Sequence, residues 1–157
     1  MRIWIITLVM LYIVTVPAVA GQKKPLTPAQ KDKCPVCGMF VAKYPDFVAE
    51  IIFRDGSYAV FDGVKDMFKY YFNLQKYNPK KTHEEIDSLY GTDYYDLVLI
   101  DGRKAFYVIG SDVYGPMGRE LILFRNYSDA REFMRDHKGN AILKFQDITP
   151  KTIEGLD

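Results

Sequence analysis

The 157-residue chain carries 21 Lys and Arg against 20 Asp and Glu, with 48% hydrophobic residues and two cysteines. That length and apolar fraction fit one domain with a single core, and the balanced charge excludes a nucleic-acid protein, whose grip on phosphates needs a surplus of Lys and Arg. Two cysteines are too few for the disulfide scaffold of a small secreted domain.

Met1 and Arg2 precede an uncharged, mostly apolar run from Ile3 to Val16, which Pro17-Ala18-Val19-Ala20-Gly21 closes with an Ala-x-Ala ending. These are the parts of a secretory signal, assigned to residues 1–20, and they place the mature protein in the periplasm. The run falls short of the roughly 20 apolar residues of a bilayer span. The alternative is an uncleaved N-terminal membrane anchor, since Lys23 and Lys24 follow at once. No cysteine stands near the cleavage position to carry a bacterial lipid anchor. Cleavage after Ala20 leaves 137 residues, with 20 basic and 20 acidic side chains and no tryptophan. Residues 21–33 (GQKKPLTPAQKDK) are too polar to bury much surface and read as a flexible linker, with an arm packed along the domain as the alternative.

The ordered domain is assigned to residues 34–149. Phe47 to Phe53 and Ser57 to Phe61 read as a β-hairpin turning on Asp55-Gly56. Asp62 is placed to cap a helix whose apolar residues Val64, Met67, Phe68, Tyr71 and Phe72 recur at helical spacing. Thr82-x-x-Glu85 has the form of a capping box and predicts a short second helix before Gly91. The pattern then returns. Strands are expected at Tyr94 to Ile100 and Ala105 to Ile109, followed by a Gly-rich loop, Gly110 to Gly118, and a strand from Leu121 to Phe124. A helix capped by Ser128 and ended by Gly139 after Lys138 comes next, and Ala141 to Phe145 closes with strand composition. The expected fold is α+β, two successive ββαβ units packed as one small domain. The tail, residues 150–157, carries no signal.

Cys34-Pro35-Val36-Cys37-Gly38-Met39 places two thiols and a thioether within six residues. Soft sulfur ligands select soft ions, Cu(I) above all. Gly38 lets the backbone turn between Cys37 and Met39. Met117, flanked by Gly and Pro in Gly115-Pro116-Met117-Gly118, is the other methionine without a place on an apolar helix face. Other readings of the cysteines stay open: a local disulfide, a redox pair of the Cys-Pro-x-Cys kind, or zinc, which needs four ligands that His83 and His137 are badly spaced to complete. Met39 also reads as a core residue. No phosphate-binding loop, Ser-His-Asp arrangement or paired catalytic carboxylates are legible, so no catalytic residue is assigned and a binding protein is expected in place of an enzyme.

CPVCGM after an export signal, FDG opening a helix, then GSDVYGPMG and a closing ILKFQDIT resemble the NosL family across Cys34 to Thr149. The resemblance implies two ββαβ units and a periplasmic copper chaperone that binds Cu(I) and passes it toward nitrous oxide reductase, with a transporter-type maturation complex as a further partner. It also implies Cys34, Cys37, Met39 and Met117 as the metal-binding set, Met117 from the second half closing over the cysteines of the first. Asp62 and Asp112 are candidates for support around the ion, against simpler roles as a helix N-cap and a loop stabiliser. His137 is a further candidate ligand, against a helix C-terminal position that suits a partly charged imidazole.

Overall fold

The computed structural model describes residues 22–157, so the signal expected at residues 1–20 lies outside the described residues. The first unit runs β1 (Ala49–Phe53), β2 (Tyr58–Phe61), α1 (Val64–Phe72), a single-turn α2 (Leu74–Tyr77) and β3 (Ile86–Thr92), to which β4 (Leu99–Asp101) adds an edge. The second runs β5 (Phe106–Ile109), a small hairpin of β6 (Tyr114–Gly115) and β7 (Gly118–Arg119), β8 (Ile122–Phe124), α3 (Tyr127–Asp136) and β9 (Ala141–Lys144). The chain ends in α4 (Pro150–Glu154).

The sheets are ordered β2-β1-β3-β4 and β8-β5-β9, all antiparallel. In each sheet the unit's first strand lies between two later ones, β1 between β2 and β3 and β5 between β8 and β9, so the ββαβ duplication holds at the level of topology. Its boundaries differ from those expected. The capping box at Thr82 and Glu85 closes a three-residue 3-10 turn, His83–Glu85, and the chain enters β3 directly. Gly91 lies inside that strand, where a Cβ would meet Leu123 Cδ2 at 2.6 Å, so the two halves touch through a residue without a side chain. The strand expected from Tyr94 to Ile100 forms only at its end, as β4. Asp93 is the reason: buried, it accepts the backbone N–H of Tyr95, Asp96 and Arg125 at 3.0, 2.9 and 2.7 Å and folds the segment into a loop. β4 therefore pairs with β3, and β5 opens the second unit.

Helix ends also depart from expectation. Asn126 occupies the N-cap of α3 and Ser128 lies within its first turn. Lys138 takes the left-handed conformation after it (φ 56°), while Gly139 permits close approach to Val108. The Gly-rich loop contains the β6–β7 hairpin, with Pro116 and Met117 at its tip.

β5 binds the halves together. Tyr107 joins the larger core with Phe68 and Met67 of α1, whereas Val108, on the opposite face, joins Phe124, Ala130 and Phe133 under α3. The period of two thus makes one strand serve two helices. The C-terminal residues Ile153 and Leu156 are buried in the larger core beside α1.

Lys23 and Leu26, in the segment expected as a linker, are tied by hydrogen bonds to the first sheet. Lys23 N–H donates to Asp87 (2.8 Å), its carbonyl accepts from Ser88 and Tyr90, and Leu26 N–H donates to Glu50 Oε2 at 3.0 Å. Glu50 is fully buried and its Oε1 has no partner. Burial pushes its carboxyl up to about 7 from the ordinary 4.5. A raised carboxyl pKa favours the folded state at low pH, and this contribution is lost as pH climbs through about 7. Glu50→Gln should therefore raise urea stability by about 1–3 kcal/mol at pH 8 and leave it nearly unchanged at pH 4.5. An equal change at both pH values would refute the burial argument.

Candidate metal centre

The cysteine segment is a tight loop. Asp32 O accepts Val41 N–H at 3.1 Å, Cys34 N–H donates to Met39 O at 2.9 Å, and Gly38 N–H donates to Cys34 O at 2.9 Å. Gly38 adopts φ 81°, the left-handed conformation anticipated for the turn. Met39, Phe40 and Val41, despite strand composition, contribute one bridge (Lys33 to Phe40) before a 3-10 turn at Val41–Lys43. Cys34 is 1% exposed and Cys37 half-buried; both are free thiols.

Two carboxylates from the start of α1 meet these thiols. Cys37 donates to Asp62 Oδ1 at 3.1 Å and Cys34 to Asp66 Oδ2 at 3.3 Å. One donor atom from each of Cys34, Cys37, Asp62 and Asp66 lies within 4.8 Å of the others, a group compact enough to surround one ion. Asp62 is fully buried, and its Oδ2 has no hydrogen-bond partner. A buried carboxylate oxygen left bare costs free energy unless something occupies it, so this atom fits a cation at the centre of the group. Asp62 is thus not the helix cap expected: Gly63 is the N-cap residue of α1 and makes no side-chain cap bond.

Burial, reinforced by Asp62, pushes the Cys37 thiol up to about 12, and burial raises Cys34 as well. A catalytic dithiol needs the opposite, a depressed pKa that yields thiolate near neutrality. These thiols keep their protons until a metal displaces them.

The remaining expected residues divide. Met39 is half-buried and its carbonyl is tied to Cys34 N–H. Met117 is 43% exposed at the tip of the β6–β7 hairpin, and its carbonyl accepts from Lys65 Nζ at 2.8 Å, which brings this backbone to the helix that bears Asp66. Asp112 and His137 are not brought to the thiols. They pair with each other (Nδ1 to Oδ1, 3.1 Å) on the second unit, where the imidazole stacks on Phe133. Asp66 is absent from the expected set; its signal was the four-residue spacing from Asp62, one helical turn. Glu120, also unassigned from sequence, is buried beside Gly63 and accepts Lys65 N–H at 2.6 Å.

A family model described as NosL matches residues 25–153 of the chain. The chain is 25% identical over 127 residues to the copper-binding lipoprotein NosL of Stutzerimonas stutzeri, covering 80% of this chain and 66% of that protein, just under two thirds of its length. The fold is similar to the crystal structure of the copper chaperone NosL from Shewanella denitrificans, with a TM-score of 0.70 at 23% identity, covering 83% of this chain and 99% of that one.

Proposed function

The chain belongs to the NosL family, and from that premise we propose that it is a copper chaperone that carries Cu(I) outside the cytoplasm and delivers it by ligand exchange to a copper enzyme. Nitrous oxide reductase, reached directly or through a transporter-type maturation complex, is the recipient we infer from the family resemblance. The carrying observation is the convergence of Cys34, Cys37, Asp62 and Asp66. Two thiolates in one small space favour a soft monovalent ion, and the carboxylates hold both thiols in position until it arrives.

The proposed ligands differ in accessibility, and that difference suits transfer. Cys34, buried, is the ligand that keeps the ion longest; Cys37 and the exposed Met117 are those an incoming donor can replace. Met39 is the fourth sulfur, and no more than two or three sulfurs need bind at once. Asp62 and Asp66 orient the thiols. Asp112 and His137, held in their own pair, take no part in this reading.

Titration of the reduced protein with Cu(I) against a competing chelator tests this. One equivalent should bind tightly, and Met117→Ala should weaken binding about 10-fold or more, less than the loss of a thiolate because a thioether is a neutral donor, without shifting thermal unfolding, because the side chain is exposed. Failure to bind Cu(I) would remove the chaperone reading; an unchanged affinity in the variant would remove Met117 from the ligand set.

A further inference from the structure

Two buried ionisable residues outside the thiol group, Lys65 and Glu120, join the second unit to the helix that bears Asp66. Lys65, 2% exposed in the first turn of α1, extends Nζ to Met117 O at 2.8 Å and Leu156 O at 3.3 Å, with Asp157 Oδ1 at 3.5 Å. Glu120, 3% exposed and just beyond β7, sends Oε1 to the backbone N–H of the same Lys65 at 2.6 Å, and accepts its neighbour Leu121 N–H at 2.9 Å. The two residues therefore exchange bonds between the same pair of segments. The helix gives its N–H to the carboxylate that follows the hairpin, and the helix's ammonium binds the carbonyl at the hairpin tip.

The fit around the carboxylate is close. A Cβ at Gly63 would lie 2.2 Å from Glu120 Oε2, and one at Gly115 would lie 3.0 Å from Glu120 Cγ and Oε2. Gly63 has extended backbone (φ −172°), which any residue adopts, so its lack of a side chain answers to the carboxylate and not to the backbone. Glu120 also supplies α1 with the N-terminal acceptor that Gly63 lacks. Burying an ammonium is costly, and burial pushes the Glu120 carboxyl up to about 8, so the hydrogen bonds around both groups have to offset the cost. An apolar pair would fasten two segments without that cost, but it would not fix the hairpin tip by a directional bond to its backbone.

We propose that Lys65 and Glu120 are positioning residues that clamp the β6–β7 hairpin onto the N-terminus of α1, and so set Met117 against the thiols held by Asp62 and Asp66. The proposal rests on the reading of Met117 as a copper ligand. In it, the clamp joins the thioether of the second unit to the thiols of the first.

Three variants probe it, each loaded with one equivalent of Cu(I) and read by X-ray absorption for the number of copper-bound sulfurs, with affinity and thermal unfolding measured in parallel. Lys65→Met removes the bond to Met117 O while leaving the backbone cap in place. Gly63→Ala displaces the carboxylate without altering it. Glu120→Gln keeps an acceptor oxygen and serves as the conservative control. Lys65→Met and Gly63→Ala should each lose one sulfur from the copper shell and about 10-fold or more in affinity, as Met117→Ala does, whereas Glu120→Gln should retain the wild-type shell. A purely structural role would lower the unfolding temperature and leave the sulfur count intact, which would overturn the clamp. If Met117→Ala itself keeps the full shell, the assignment of Met117 falls and the clamp falls with it. If Met117→Ala loses a sulfur while Lys65→Met and Gly63→Ala do not, the clamp alone is refuted.

Discussion

Replacing Cys34 with Ser should lower Cu(I) affinity by more than about 100-fold, beyond the 10- to 100-fold expected from losing a residue that only supports a ligand. The hydroxyl is a hard donor and does not ionise near neutral pH, so under the proposed ligand set the soft ion loses its least exposed anchor. The fold should survive. Serine is nearly isosteric and can still donate to Asp66 Oδ2, the bond Cys34 makes at 3.3 Å. Competition titration with circular dichroism as the folding control checks both statements. An affinity within about 10-fold of wild type would show that the ion is held elsewhere.

Phe68→Ala should cost about 3–5 kcal/mol of stability, the usual range for deleting a buried aromatic ring. For a domain of this size that is a fall of about 10–20 °C in Tm. Phe68 is fully buried, and its ring meets Tyr107 at 5.6 Å and Phe145 at 5.5 Å, both from the second unit. The substitution therefore opens a cavity where the two units join, half a turn of helix from Asp66. Urea unfolding measures the loss; a change below about 1 kcal/mol would mean the site collapses to fill the space. Tyr107→Phe is a milder companion, removing the hydroxyl that donates to Gly102 O at 2.6 Å.

The periodicities that are local in sequence were legible. The apolar spacing of Val64, Met67 and Phe68 marks α1, and Asp55-Gly56 marks the first turn, because both signals lie within a few residues of the structure they specify. What failed was equally specific. Residues 94–98 have strand composition, but a buried Asp93 has no strand partner for its carboxylate and takes the loop's N–H groups in its place. Asp62 looks like a cap by position. It is diverted to Cys37, 25 residues earlier, and Glu120, 55 residues after Lys65, does the capping.

The sequence by itself determined the repeated ββαβ plan, the clustering of soft sulfur at Cys34, Cys37 and Met39, and membership in a family, since periodicity, turn chemistry and motif are properties of contiguous residues. Only the tertiary structure decided which carboxylates serve the thiols. Asp62, Asp66, Asp112 and Glu120 are chemically alike along the chain. Their roles separate when folding buries Asp62 and Asp66 against sulfur, sets Asp112 against His137, and leaves Glu120 between two glycines. The physical reason is that a buried carboxylate must find a partner, and which partner lies within hydrogen-bonding distance is settled by long-range packing that no local pattern encodes.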